Sequence, residues 1–241
     1  MIPVVIIAGG LATRMHPITE KIPKSLLGVR GKPFIFHQLS LLEKNHVNEV
    51  VLCLGHLGKM VEDYLTSEHF SLNINFSYDG EKLLGTGGAV RKATQNMETP
   101  FFVLYGDSYL DIEYRGIADA YMNCGKPGLM TVYHNDGQWD TSNVVYTNGK
   151  INCYSKKKRT PEMRHIDYGL GVLAPEVFQN HESDTTFDLA EIYERLSENG
   201  DLFGYEVHKR FYEIGSSAGL VNLEDYLSSQ EGIYEQSGFS G

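Results

Sequence analysis

The chain has 241 residues, of which 41% are hydrophobic, so it is long enough to bury a large core. Its formal net charge of −10 argues against nucleic acid as a partner, and an anionic ligand would need concentrated positive charge and a divalent cation. The apolar N-terminal run is short and lacks a basic leader, so we expect no signal peptide and no membrane contact. The three cysteines lack metal-site spacing, which indicates reduced thiols in a cytoplasmic protein.

The first predicted strand, residues 4–8, is apolar and leads directly into a glycine-containing loop. Without Cβ atoms, Gly9 and Gly10 can bring backbone N–H groups close to an anion. Later in the loop, Arg14 supplies a guanidinium, which grips phosphate as a fork, and Lys24 supplies an ammonium, which acts as a point charge. The segment therefore predicts a phosphate-binding site.

Two common phosphate-binding loops do not fit this segment. A dinucleotide-binding turn needs a third glycine that opens a helix, and a Walker loop needs a glycine before its lysine, where this chain has Pro23. The remaining alternative is an ordinary turn, in which the two glycines serve only the backbone.

Strands and helices then alternate, which predicts a parallel sheet covered by helices on both faces and a single domain. After residue 135 the pattern changes, and a turn-rich tetrad at 147–150 predicts a β-hairpin. The further predicted strands are 49–54, 73–78, 101–105, 129–134, 143–146, 151–154 and 168–173, and the predicted helices are 34–44, 57–65, 88–97, 115–124 and 187–197.

The segment 83–90, LLGTGGAV, contains three glycines where a strand gives way to a helix. Gly85 and Gly87 would let the backbone approach a flat ring, while Thr86 offers a hydroxyl and the helix N-terminus offers free N–H groups. The alternative is a plain helix entry.

Asp107 follows the predicted strand 101–105 and Gly106, so we expect it at the carboxyl edge of the sheet, where ligands bind. Its carboxylate suits a hard cation such as Mg²⁺, which keeps waters and substrate phosphates as its other ligands. The alternative is a helix cap.

Together these segments resemble the nucleotidyltransferases that join a nucleoside triphosphate to a sugar 1-phosphate. The signature of that family, roughly GGxGTRxxPxTxxxPKxLxxxxGKP, matches residues 9–33, with Ala12 in place of a glycine. The resemblance continues through GTGGA at 85–89, GD at 106–107 and RFYEIGSSAGL at 210–220, so it spans nearly the whole chain.

The resemblance implies an α/β nucleotide-diphospho-sugar transferase fold. This fold is a Rossmann-like three-layer α/β/α sandwich with a mostly parallel sheet and a small β-hairpin sugar-binding part. It implies one domain, with a nucleotide-binding half at 1–135 and a sugar-phosphate-binding half at 136–241. Arg14, Lys24 and Asp107 would be catalytic. The implied nucleotide-binding residues are Ala8, Gly9, Gly10, Leu11, Thr13, Arg14, Lys24, Asp79, Gly85, Thr86 and Gly87.

Asp79 lies near a position where the family often has an acidic or amide residue, and its carboxylate can accept from guanine N–H groups. A solvated turn residue is the alternative. On the acceptor side, Lys157 matches the family's phosphate-binding lysine, whereas Lys156 replaces the glutamate before it and leaves the sugar open. The implied sugar-phosphate-binding residues are Asp107, Asn143, Lys157, Asp167 and Gly169.

The second metal ligand of the family is an aspartate, and Glu213 stands at its position. The implied Mg²⁺ ligands are therefore Asp107 and Glu213. Because the glutamate is one methylene longer, the cation position can shift by about that length.

The implied reaction condenses a nucleoside triphosphate with a sugar 1-phosphate to an NDP-sugar and pyrophosphate. The overall pattern is most similar to short bacterial enzymes of surface-polysaccharide synthesis, among them heptose 1-phosphate guanylyltransferases, and this resemblance implies GTP and a heptose- or mannose-type acceptor. Uridylyl, cytidylyl or thymidylyl transfer to another sugar or phospho-acceptor stays open, as do a catalytically silent subunit that binds sugar nucleotides and a homo-oligomeric state.

Overall fold

The computed structural model describes residues 1–15, 17–182 and 184–237, without the side chains of Arg14 and residues 231–237. The strands are β1 (Val4–Ile7), β2 (Gly28–Val29), β3 (Lys32–Pro33), β4 (Glu49–Leu54), β5 (Asn73–Tyr78), β6 (Phe101–Tyr105), β7 (Ser108–Tyr109), β8 (Gly128–His134), β9 (Val144–Thr147), β10 (Lys150–Tyr154), β11 (His165–Leu173), β12 (Leu202–Val207) and β13 (Tyr212–Glu213). The α-helices are α1 (Phe34–Lys44), α2 (Gly58–Ser67), α3 (Gly85–Ala93), α4 (Tyr114–Cys124), α5 (Leu189–Glu198) and α6 (Ser217–Ser237).

In the described part of the chain, nine strands form one sheet in the order β5-β4-β1-β6-β11-β8-β12-β10-β9. Strands β5, β4, β1 and β6 run parallel to one another, and β1 lies between β4 and β6. Val4, Val5 and Ile6 are fully buried, as expected for a strand covered on both faces. Strand β11 is antiparallel to both β6 and β8, so the second half of the sheet is mixed.

Two apolar cores cover the opposite faces of the sheet. One core joins Val4 and Ile6 to buried residues of α1, α2 and α4, and the other joins Val5 to buried residues of α3 and α5. Because successive side chains of a strand point to opposite faces, this division defines three layers. The predicted α/β/α sandwich is confirmed.

The predicted hairpin is also confirmed, since β9 and β10 pair in antiparallel register. The turn between them consists of Asn148 and Gly149, which both have positive φ angles, 45° and 84°. Two such residues are typical of the tight turn whose twist matches a β-hairpin. None of the helices in the described ranges is both long and apolar enough to cross a membrane.

A small two-stranded sheet carries the C-terminal segment to the carboxyl edge of the main sheet. Strand β13 pairs with β7, so that Glu213 lies opposite Ser108. The Ile214 N–H donates to the Asp107 carbonyl oxygen at 3.0 Å. This pairing brings residues that are more than one hundred positions apart in sequence to one edge.

Candidate active site

The predicted phosphate loop, the glycine-rich helix entry and the end of β6 surround one cavity of about 180 Å³. It lies at the carboxyl ends of parallel strands, where ligands of open α/β sheets bind. Its lining consists of Ile7, Ala8, Gly10, Ala12, Lys24, Ser25, Thr86, Tyr105, Gly106 and Asp107. The structure therefore brings together residues that the sequence analysis selected from three separate segments.

Lys24 and Asp107 form an ion pair within this cavity, with Nζ and Oδ2 2.7 Å apart. Asp107 reaches this place because Gly106 lies against β1, where a Cβ atom would overlap the Ile7 carbonyl oxygen. The Lys24 side chain is 20% exposed, so its ammonium is accessible while it remains held. An ammonium has three N–H donors, which leaves two for phosphate oxygens.

Glu213 lies beside this pair. Its carboxylate accepts from the Gly215 N–H and, at 3.3 Å, from the Ser216 hydroxyl. A Cβ atom on Gly215 would lie 3.4 Å from Lys24 Nζ, which shows how closely the Glu213 loop approaches the ion pair. Lys24, Asp107 and Glu213 therefore share one site.

The donor set fits a magnesium ion. The described residues contain no group of three or more His, Cys, Asp or Glu side chains that could hold a metal. Mg²⁺ commonly takes only one or two carboxylates and completes its shell with water and substrate phosphate. Glu213 pairs with Ser108, the neighbour of Asp107, so Asp107 and Glu213 are the two carboxylates that would hold the ion.

Ala12, the departure from the family signature, has a left-handed backbone with φ of 50°. An alanine is strained there by about 1 kcal/mol or more, whereas glycine is not. The conformation is fixed by the Ala12 carbonyl oxygen, which accepts from the Thr19 hydroxyl at 2.9 Å and from the Met15 N–H at 3.0 Å.

The remaining loop residues differ in their surroundings. Gly9 lies against β4's end, where a Cβ atom would be 2.9 Å from the Gly55 nitrogen, whereas Gly10 faces open space in the cavity. Leu11 and Thr13 are exposed, and the Arg14 side chain lies outside the described residues. The proposed roles of these last three residues stay predictions.

The three glycines of α3 are in contact with another part of the chain. A Cβ atom on Gly87 would overlap the Phe187 ring, and one on Gly88 would overlap the Thr185 carbonyl oxygen. Gly85 has φ of 71° and packs against the Phe187 backbone. Close packing of α3 against the segment before α5 therefore requires these glycines, and their contact with a base stays a prediction.

Thr86 links α3 to α5. Its hydroxyl donates to Asp188 Oδ1 at 3.0 Å and accepts from the Leu189 N–H at 2.8 Å. Asp188 is the N-cap of α5 and accepts from the Ala190 N–H at 2.8 Å. Burial by itself raises the pKa of Asp188, but the Ala190 hydrogen bond and the nearby Lys156 charge hold it below its ordinary value.

Asp79 is nearly buried, and its Oδ2 accepts from the Leu84 N–H at 3.2 Å. Lys92 donates to the Asp79 carbonyl oxygen at 3.2 Å. Burial raises the pKa of the Asp79 carboxyl. Asp79 therefore anchors the loop that leads into α3 and is not a solvated turn residue, while its contact with a base stays a prediction.

On the acceptor side, Asn143, Asp167 and Gly169 form one hydrogen-bonded chain. The Asn143 side-chain oxygen accepts from the Asp167 N–H at 2.9 Å, and Asp167 Oδ1 accepts from the Gly169 N–H at 3.0 Å. Gly169 has φ of 95° at an irregularity in β11, and a Cβ atom there would lie 3.1 Å from Ser108 Oγ. Because Ser108 follows Asp107, the predicted sugar residues lie beside the ion pair.

The lysine that points toward this site is Lys156. Its Nζ lies 5.5 Å from the centroid of the Tyr105 ring, which lines the cavity, and 3.5 Å from Asp188 Oδ1. Lys157 is exposed, and its backbone N–H donates to the Ser155 hydroxyl at 3.2 Å. The structure thus brings Lys156 to the edge of the cavity, and the role of Lys157 stays a prediction.

Sequence reasoning missed Lys156 as a contact of the site, and it also missed Ser25. Ser25 lines the cavity, and its buried hydroxyl has no hydrogen-bond partner among the described residues. A signal for Lys156 existed, because a lysine replaces an acidic residue of the family at that position. Ser25 offered no such signal, because a serine after the signature lysine is unremarkable in sequence.

The chain is similar to known proteins along most of its length. A profile of the family described as "Nucleotidyl transferase" matches residues 3–224. The Mannose-1-phosphate guanylyltransferase catalytic subunit beta of Xenopus tropicalis is 30% identical over 232 residues, which make up 93% of this chain and 64% of that protein. The chain thus spans less than two thirds of the length of this relative.

Two solved structures show the same fold. HddC from Yersinia pseudotuberculosis, in a complex with GMP-PN, has a TM-score of 0.77 and 23% identity, with 94% of this chain and 100% of that chain covered. A putative glucose-1-phosphate thymidylyltransferase from Bacillus anthracis has a TM-score of 0.79 and 18% identity, with 94% and 95% covered. The predicted nucleotide-diphospho-sugar transferase fold is confirmed. The chain belongs to the nucleotidyl transferase family, as the resemblance predicted.

Proposed function

We propose that this chain transfers a nucleotidyl group from a nucleoside triphosphate to a sugar 1-phosphate and releases pyrophosphate. The observation that carries the proposal is the Lys24–Asp107 pair, at 2.7 Å, in the cavity between the phosphate loop, α3 and the end of β6. The hydrogen-bonded chain from Asn143 to Gly169 supports it, because it places sugar-binding groups next to that pair.

In the proposed reaction, a phosphate oxygen of the sugar 1-phosphate attacks the α-phosphorus in line. A new P–O bond forms while the bond between the α-phosphorus and the bridging oxygen breaks, and pyrophosphate leaves with that electron pair. No protein nucleophile is needed, since positioning and charge stabilisation supply most of the catalysis. Lys24 would donate to an α-phosphate oxygen, and Arg14 would bind the leaving group.

Asp107 and Glu213 are the residues that would hold Mg²⁺. When bound, the ion supplies positive charge that offsets the negative charge of the phosphates. Glu213 would have to exchange its hydrogen bonds to Gly215 and Ser216 for the cation. Substrate phosphate would complete the ion's shell, so we expect metal and triphosphate to bind with positive coupling.

We further propose GTP as the nucleotide and a mannose- or heptose-type sugar 1-phosphate as the acceptor. The name of the frog relative supports this choice, as does the sequence pattern around the acceptor residues. We also propose that the protein acts in the cytoplasm, that it consists of a single domain and that it takes part in surface-polysaccharide synthesis. The single domain is supported by β11 of the second half, which lies between β6 and β8 of the first.

The experiment that tests the function measures magnesium-dependent pyrophosphate release. Each of five nucleoside triphosphates is combined with a panel of sugar 1-phosphates, and the Lys24→Ala protein is the control. We expect release with one preferred pair and its loss in the control. If every pair stays silent while triphosphate still binds, the acceptor assignment is wrong, and a silent sugar-nucleotide-binding subunit becomes the better account.

A further inference from the structure

A second cavity, of about 410 Å³, lies next to the Glu213 loop and is larger than the one around Lys24. One wall comes from the phosphate loop and another from the segment after β8, which carries the only tryptophan of the chain. The lining consists of Met15, Ile18, Trp139, Asp140, Glu213, Gly215, Ser216 and Ser217. Its volume is within the usual range for small-molecule sites.

We propose that this cavity holds the hydroxylated end of the acceptor sugar, with the Trp139 indole as the surface on which the sugar ring packs. This inference rests on the proposed function and adds a residue that determines acceptor specificity. A sugar ring has an apolar C–H face and a hydroxylated edge, so it needs an aromatic surface on one side and polar groups on another.

The cavity provides both kinds of surface. Trp139 is 46% exposed, with Arg210 over one face of its indole, and Ile18 is 52% exposed, so both residues offer apolar surface to a ligand. Asp140 and Ser216 supply a polar side. An exposed indole beside hydrogen-bonding groups is a common arrangement where one part of a ligand is apolar and another is polar.

The charges of the cavity favour a neutral part of the ligand over a phosphate. Among its described lining residues, Asp140 and Glu213 carry charge, and both are acidic. Glu213 is a proposed Mg²⁺ ligand, so the free negative charge of the cavity is that of Asp140, which repels a free phosphate and can accept from sugar hydroxyls. In this arrangement the phosphate and the adjoining part of the sugar lie toward Lys24 and the Asn143–Gly169 chain, and the far hydroxyls lie toward Trp139.

Trp139 is held in place from both its backbone and its ring. The Trp139 backbone N–H donates to the side-chain oxygen of the fully buried Asn135 at 3.1 Å. Asn135 Nδ2 in turn donates to the Asp140 carbonyl oxygen at 2.6 Å. The Arg210 guanidinium carbon lies 3.6 Å from the centroid of the indole and 4.8 Å from that of Tyr212. Since Tyr212 precedes Glu213, the stack fixes the indole relative to the metal-ligand loop.

The sole tryptophan allows a direct binding test. The intact protein is titrated, with emission recorded, against the sugar 1-phosphate that supports pyrophosphate release, and in parallel against inorganic phosphate and against the triphosphate alone. We expect a saturable change in Trp139 emission with the sugar 1-phosphate, at least threefold larger than with either control. Equal responses to all three ligands would overturn the proposal.

Steady-state kinetics of matched variants form the second arm. We expect Trp139→Ala to raise the acceptor KM by about tenfold, with less than a twofold change in the triphosphate KM, because only the acceptor loses its packing surface. Trp139→Phe should recover most of the loss, and Arg210→Lys, which removes the planar stack that positions the indole, should be intermediate. Met122→Ala, an exposed apolar residue on α4, is the control without effect.

The outcomes separate this proposal from the proposed function. If the wild-type protein releases pyrophosphate but Trp139→Ala leaves the acceptor KM within twofold, or raises both KM values equally, only the assignment of the cavity is wrong. If no sugar 1-phosphate is turned over, the proposed function fails and this proposal fails with it. Thermal unfolding of each variant identifies one that has lost its fold.

Discussion

The two halves of the candidate site differ in how the chain builds them. On the nucleotide side, Gly10, Lys24 and Asp107 meet in the cavity as the sequence predicts. On the sugar side, the run of basic residues at 156–159 presents Lys156, and not Lys157, to the site. A motif constrained by glycine and proline specifies its backbone, whereas a run of similar side chains in a loop does not specify which one turns inward.

Replacing Lys24 tests the nucleotide side and should have the largest effect. Lys24→Ala removes the ammonium that pairs with Asp107, so we expect kcat to fall by roughly a hundredfold or more, as for loss of a charge-stabilising donor. Lys21→Ala removes an exposed lysine of the same loop and is the matched control. Turnover near the wild-type rate in Lys24→Ala would remove this residue from the mechanism.

Two lysine variants test whether Lys156, which lies at the site, or Lys157, which the family resemblance implies, binds the acceptor phosphate. Lys156→Ala should raise the acceptor KM by about tenfold, on the order of one charged hydrogen bond. Lys157→Ala should stay within twofold, because the contact described for Lys157, with the Ser155 hydroxyl, comes from its backbone N–H. The opposite order would restore Lys157 as the phosphate-binding lysine and show that this loop rearranges when the substrate binds.

We expect a gain in stability when Ala12, the left-handed residue of the phosphate loop, is replaced by glycine. Ala12→Gly relieves a positive φ at the cost of more backbone entropy, so we expect the free energy of unfolding to rise by about 0.5 kcal/mol. Ala120→Gly, within α4, should lower it by about 1 kcal/mol. Chemical denaturation of both proteins measures the difference, and a loss of stability in Ala12→Gly would contradict the strain.

The smallest predicted effect is a pH dependence from His165, beside Asn143. Burial lowers the pKa of His165, although Glu206, 3.3 Å away, partly opposes that shift. The unfolded chain then binds more protons than the folded one as the pH drops below about 6.5, so stability declines there. His165→Gln should reduce the slope of the free energy of unfolding against pH in this range. An unchanged slope would show that other groups cause the pH dependence.

The elements predicted best were those with a strong local pattern. Strands β4, β5 and β6 and helix α1 have the predicted bounds, because apolar runs and helical periodicity specify them locally. Helix α3 begins at Gly85, three residues before the predicted start, and its glycines allow close packing against Phe187, a contact that the local pattern does not show.

Other parts depend on contacts that a single sequence does not show. Strand β12 and helix α6 were not predicted. The position of Glu213 depends on the pairing of β13 with β7, which joins residues more than one hundred positions apart. For the same reason, the sequence identified Glu213 only through the family resemblance, and neither Ser25 nor Trp139 was selected.

The most direct test of the central claim follows the phosphorus atoms of the triphosphate. The protein is incubated with Mg²⁺, a sugar 1-phosphate and GTP labelled at either the α or the γ position. We predict that the α label enters a sugar nucleotide, that the γ label leaves in pyrophosphate, and that Lys24→Ala abolishes both. Transfer of the γ label to the sugar phosphate, or no transfer of the α label with any acceptor, would contradict nucleotidyl transfer at this site.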